Sequence, residues 1–145
     1  MNISSKSANV LYRRDGHSCV VFSDLVEGDG VQSNQFLIID EEHTAIIDPG
    51  GDLTYTPLSI ELSKHVNLRE LDYIFASHQD PDIIASLPRW MMHSECKVVT
   101  PKLWSRFLPH LASSFVTDKL GSSVDDRIIA VPDKGQKIPF GRSSI

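Results

Sequence analysis

The chain has 145 residues, 41% of them hydrophobic and 23% charged, with a formal net charge of −5. That is enough for one domain with a real core and too little for two, and the composition is that of a globular protein and not of a disordered tail. The negative charge, with no basic cluster beyond Arg13-Arg14, speaks against nucleic acid; no apolar run reaches transmembrane length, and the polar start, residues 1–9, shows no secretory signal.

Taken in chain order, Val10-Leu11-Tyr12 and Cys19-Val20-Val21-Phe22 flank the turn-forming Asp15-Gly16 and predict a hairpin. After the loop Glu27-Gly28-Asp29-Gly30, the runs Gln35-Phe36-Leu37-Ile38-Ile39 and Thr44-Ala45-Ile46-Ile47 predict a second hairpin, more apolar than the first and therefore central in its sheet. The second run ends in Asp48-Pro49-Gly50-Gly51. Thr56-Pro57 has the pattern of a cap residue followed by proline at the first helical position, and Leu58, Leu62 and Val66 follow at helical spacing. Tyr73-Ile74-Phe75-Ala76 reads as a buried strand. Pro81 then suits the first turn of a helix through Ile84 and Leu87, which Pro88 should kink or interrupt.

Cys96-Lys97-Val98-Val99 is a further strand, and Thr100-Pro101 repeats the cap-plus-proline pattern before Leu103, Trp104 and Phe107, with Pro109 as breaker. Arg127-Ile128-Ile129-Ala130-Val131 is a strand that Pro132-Asp133-Lys134-Gly135 turns into Gln136-Lys137-Ile138. A β-rich start followed by alternating helix and strand implies an α/β domain, a mixed sheet with at least one face covered by helices. The chain stops at Ile145 just after a turn, which reads as a truncation. Cys19 and Cys96, beside Val-rich strands, read as small buried hydrophobes in a reducing compartment; a single bridge between them is the alternative.

The stretch that carries chemistry is Ser77-His78-Gln79-Asp80-Pro81-Asp82, where the buried strand meets the helix. An imidazole and two carboxylates alternate there, and extended or turning backbone at this spacing throws alternate side chains to one side. The end of a strand in an α/β sheet is also where such folds keep their sites. His78, Asp80 and Asp82 are thus candidate metal ligands. The plain structural alternative makes Asp80 a helix cap with Pro81 behind it, has Asp82 favour the positive helix end, and leaves His78 satisfied by backbone. The acidic turn at Asp48 ends an earlier strand in the same way and could lie beside the motif if the two strands are neighbours. Trp90-Met91-Met92 reads as core packing. His17, His43, His65, His93 and His110 read as solvated or capping residues.

Strand–Ser-His-x-x-x-Asp after a hairpin ending in Ile-Asp-Pro-Gly resembles the metallo-β-lactamase superfamily, as does Ser33-Asn34-Gln35-Phe36-Leu37-Ile38. An acidic second motif position resembles its flavodiiron branch, and within it the oxygen-binding diiron proteins. The resemblance implies an αββα sandwich of two similar halves. Residues 1–145 would be a metallo-β-lactamase-like domain cut short at its C-terminal end, a complete domain needing ~200 residues or more. It also implies that His78 is the first motif histidine, Asp80 the acidic second ligand and Asp82 the aspartate of the second metal. The remaining His, bridging Asp and His ligands would lie beyond Ile145. The chain departs from the family in two places: Asp80 replaces a Glu, and Ile83 stands where a final motif His would be.

A mixed His/carboxylate set suits non-haem iron or manganese, whereas a hydrolytic zinc is usually His-rich, and the acidic second position tilts the choice toward iron. The reading implied is a cytoplasmic diiron protein, with two Fe ions in the complete domain, that binds or reduces O2 or NO. A sensor role is at least as well supported as turnover, with a fused signalling domain or an electron-donor protein as partner, and a homodimer stays open. The alternatives are a zinc-dependent hydrolase of this fold, in which Asp82 would be the catalytic candidate, and a degenerate, non-enzymatic scaffold.

Overall fold

The computed structural model describes residues 7–111 and 124–145, so the polar start over residues 1–6 lies outside it. Strands β1 (Ala8–Arg14) and β2 (His17–Phe22) form the first antiparallel hairpin. Its two-residue turn has Asp15 at φ 50° and Gly16 at φ 77°, the left-handed pair that matches the twist of a tight hairpin. A register shift between Val10 and Tyr12 leaves Leu11 out of the ladder. Strands β3 (Gln35–Asp40) and β4 (His43–Ile47) form the second hairpin. Strands β5 (Tyr73–Phe75), β6 (Lys97–Pro101) and β7 (Ile128–Val131) then add parallel to β4. The result is a seven-stranded mixed sheet in the order β1-β2-β3-β4-β5-β6-β7, with the second hairpin at its centre as its apolar sequence requires.

Alternation along each strand divides the sheet into two faces. Val20, Phe22, Leu37, Ile46, Ile74 and Val98 point into the core. Leu58 and Leu62 of helix α1 (Asp52–Ser63), Ile84 of α2 (Pro81–Ile84), and Leu87, Trp90 and Met91 of α3 (Leu87–His93) meet them there. Trp90 and Met91 are thus core residues, as their spacing implies. The opposite face carries Val21, Phe36, Ile38, Ile47, Tyr73 and Phe75, all only half-buried. A small antiparallel pair, β8 (Pro139–Phe140) and β9 (Ser143–Ser144), folds onto one end of that face. Phe140 lies 6.5 Å from the Tyr73 ring and 6.4 Å from that of His43. Arg142 donates its backbone N–H to the buried Asp40 carboxylate at 2.8 Å, and this bond holds the Asp40 carboxyl below the ordinary aspartate range. Ile138 and Ile145 exchange both backbone bonds beyond the β8–β9 pair, at 2.7 and 2.9 Å, so the segment forms a closed hairpin.

Two helix assignments differ from expectation. Helix α1 begins at Asp52, with Gly51 as cap and Pro57 inside it. The N–H that proline lacks would have served the carbonyl of Leu53, and Leu53 is 70% exposed, so water can satisfy that group. The Thr100-Pro101 pair does not open a helix. It closes β6, paired to Ala130 and Val131, and the Lys102 N–H donates to the Val131 carbonyl at 2.8 Å. A 3-10 segment (Ser105–Leu111) follows, with Pro109 inside it. The predicted interruption at Pro88 does occur: α2 ends at Ile84, and Pro88 sits in the first turn of α3.

Both cysteines are free, Cys96 fully buried and Cys19 half-buried on the open sheet face. Burial pushes both thiols up from their ordinary value.

Candidate metal centre

Parallel pairing of Ile47 with Phe75 brings the ends of β4 and β5 to one edge of the sheet. The Asp48 turn and the His78 motif therefore lie side by side. Asp48 adopts a left-handed backbone (φ 57°), which aspartate tolerates better than most residues. Its carboxylate accepts the Ser77 N–H at 2.9 Å and the Ser77 hydroxyl at 2.7 Å, and its own N–H donates to the Phe75 carbonyl at 2.8 Å. One side chain thus pins the residue immediately before His78.

The glycines of the same turn secure the far side of the loop. The Gly50 N–H donates to the Ile83 carbonyl at 2.7 Å, and the Gly50 carbonyl accepts the Ser86 N–H at 3.1 Å and the Ser86 hydroxyl at 2.6 Å. Trp90 Nε1 donates to that hydroxyl at 3.2 Å, linking the turn to the core. Gly51 lies against the motif so closely that a Cβ there would come 3.3 Å from the Pro81 carbonyl oxygen and 3.5 Å from Asp82 Cα.

Within the motif, His78 Nδ1 lies 3.3 Å from Asp80 Oδ2 and also 3.3 Å from the Asp80 N–H. The nitrogen cannot donate to the carboxylate and accept from the amide at once. Donation to Asp80 leaves the Nε2 lone pair for an external ligand; acceptance from the amide does not. Asp80 occupies the N-cap position of α2, yet its side chain makes no cap hydrogen bond. The capping alternative therefore describes its backbone, while its carboxylate meets His78 instead of the helix end. Asp82 stands in the first turn of α2, where a carboxylate complements the helix dipole.

His78 and Asp80 are brought together, with side chains 57% and 60% exposed. Asp82 is not gathered with them: among the described residues, no group of three or more His, Cys, Asp and Glu side chains is placed to hold an ion. The other histidines sit elsewhere. His17 lies 3.6 Å from Asp40 and His43 3.7 Å from Asp72, both at the opposite end of the strands. His65 packs on Phe22, and burial holds its pKa below the ordinary histidine value. Beside the motif, an open, mainly apolar cleft of about 500 Å³ runs from Phe75 and Ser77 past Val99 and Val131 to Ile138 and Ile145. The Ser77–Asp48 pairing is the part that spacing alone does not show; the two acidic strand ends in one sequence are the signal for it.

Comparison with known proteins agrees with this architecture. The chain is similar to the chemotaxis sensor ODP in a structure of its peroxy diiron species, at 28% identity and a TM-score of 0.72, over 92% of this chain and 49% of that one. It is similar in fold to the metallo-β-lactamase SMB-1, at 15% identity and a TM-score of 0.68, over 97% of this chain and 52% of that one. Among curated proteins, "Putative diflavin flavoprotein A 4" of Synechocystis sp. is 32% identical over 101 residues, which are 66% of this chain and 17% of that protein. The chain thus spans about half of the sensor and less than a fifth of the flavoprotein. No helix among the described residues is long and apolar enough to cross a membrane. The family described as ODP family beta lactamase matches residues 31–145, which include the second hairpin, the Asp48 turn and the whole motif, and the chain belongs to that family.

Proposed function

We propose that this chain supplies part of a non-haem diiron centre that binds or reduces dioxygen or nitric oxide, with His78, Asp80 and Asp82 as its metal ligands. The observation that carries the reading is the pairing of His78 with an Asp80 carboxylate that occupies a helix cap without capping, at a strand end pinned by Asp48. The donor chemistry fits: imidazole and carboxylates together suit iron, and their exposure leaves room for ligands from elsewhere. Two irons held there would supply redox chemistry toward small oxygen ligands.

The chain's own residues provide charge and orientation. Asp80 and Asp82 would neutralise cationic charge, His78 with Nδ1–H on Asp80 would offer Nε2, and Asp48 fixes the loop through Ser77. The likeness to the chemotaxis sensor ODP supports a sensing role over turnover. In a longer protein, a signalling domain or an electron-donor partner would complete that role, and the two free cysteines suit a reducing cytoplasm.

Metal analysis of the full-length protein tests this. Two irons per chain with a visible band that responds to O2 is the expected result. Bound zinc with hydrolysis of a chromogenic ester would replace the reading with a hydrolase, in which Asp82 orients the water. No metal under anaerobic reconstitution would leave a scaffold.

A further inference from the structure

We infer that Ser33 and Gln35 form a positioning clamp for Asp82. The break between α2 and α3 creates the need for one. In a continuous helix the Ser86 N–H would serve the Asp82 carbonyl, but here it donates to Gly50 instead. The carbonyl of Asp82 is thereby released from the helix ladder. Gly50 N–H caps the carbonyl of Ile83 at 2.7 Å. The Ser33 hydroxyl donates to the carbonyl of Asp82 at 3.3 Å.

Ser33 has one proton to give and accepts from Gln35 Nε2 at 2.7 Å. With one of its two lone pairs so engaged, the hydroxyl keeps its proton for the Asp82 carbonyl. Gln35 is itself fully buried at the start of β3, and its Oε1 has no hydrogen-bond partner among the described residues. A buried amide with an unserved oxygen costs stability, and an apolar residue of similar shape would avoid that cost. Its retained interaction is the one with Ser33. The relay Gln35–Ser33–Asp82 thus ties the central hairpin to the turn that carries the third candidate ligand, and it sets the pose of that residue from its backbone.

The inference about metal rests on the diiron reading; the inference about the clamp does not. The experiment therefore has two readouts on the full-length protein. Amide exchange at Ile83, Ile84 and Ala85, whose N–H groups are bonded within the α2 turn, should quicken about fivefold in Ser33→Ala, the weight of one neutral hydrogen bond. Ser33→Thr, which keeps the hydroxyl, should restore it. Co(II) alone, as a spectroscopic probe, should bind about fivefold more weakly to Ser33→Ala, with the melting temperature within about 3 °C of the parent. Gln35→Met should move both readouts the same way; if it does not fold, the two Ser33 variants decide. Unchanged exchange in Ser33→Ala overturns the clamp. Quickened exchange with unchanged Co(II) affinity overturns its role toward the metal. Absence of Co(II) binding by the parent counts against the diiron reading, and the exchange readout still decides the clamp.

Discussion

Replacing Asp48 tests how the motif loop is held. Its carboxylate accepts two bonds from Ser77, at 2.9 and 2.7 Å, and its backbone sits at φ 57°. A hydrogen bond to a charged acceptor contributes about 1.5–3 kcal/mol when shielded, and the half-exposed setting reduces each to about 1–1.5 kcal/mol. Alanine loses both bonds and adds about 1 kcal/mol of left-handed backbone strain. Asp48→Ala should therefore cost about 3–4 kcal/mol, a drop in melting temperature of roughly 10 °C for a chain of this size. Asp48→Asn keeps the backbone tolerance and one strong acceptor and should cost only about 1 kcal/mol. Urea unfolding of both variants, with exchange of the Ser77 amide followed by NMR, checks this. A loss below about 0.5 kcal/mol in Asp48→Ala with the Ser77 amide still protected would refute the reasoning.

Three further outcomes follow from the geometry. Arg127 donates to the carbonyls of Met91, Ser94 and Cys96 at 2.7–3.0 Å, closing the end of α3 with no carboxylate partner among the described residues; Arg127→Met should cost about 2–3 kcal/mol in urea unfolding. Gly50 has φ 81°, and a Cβ there would lie 2.6–2.8 Å from three Thr54 side-chain atoms; Gly50→Ala should cost about 2–4 kcal/mol in the same assay and weaken metal binding. Burial, and then Arg13, hold the pKa of His65 below its unfolded value of 6.5. The unfolded state therefore takes up more protons as pH falls through that value, so stability should be lower at pH 5.5 than at pH 7.5, and His65→Asn should shrink the difference in urea midpoint.

Hydropathy alternation and turn chemistry determine much of this protein from the sequence alone. Both hairpins, the central place of the second, the strand ahead of His78 and the break before Pro88 are local consequences of side-chain period and proline geometry. The acidic strand ends and the identity of the candidate ligands are legible in the same way. The start of α1 is not. Thr56-Pro57 has the right chemistry for a helix start, but the Gly50–Ile83 and Gly50–Ser86 bonds anchor the turn earlier in the chain, and tertiary contact overrides local preference. Thr100-Pro101 fails as a helix start for the same reason, because pairing with β7 takes both residues into the sheet.

The motif shows the division most sharply. Its spacing marks His78, Asp80 and Asp82 as residues that could share an ion, a property of three side chains in one short loop. That Asp48 pins Ser77, that His78 meets Asp80 while Asp82 stands apart on α2, and that Ser33 reaches the Asp82 carbonyl from 49 residues away are decided only when β4 pairs with β5 and the broken helix gives up its carbonyls to neighbours. Local sequence sets which groups are available; the long-range hydrogen bonds of the folded chain set where they point.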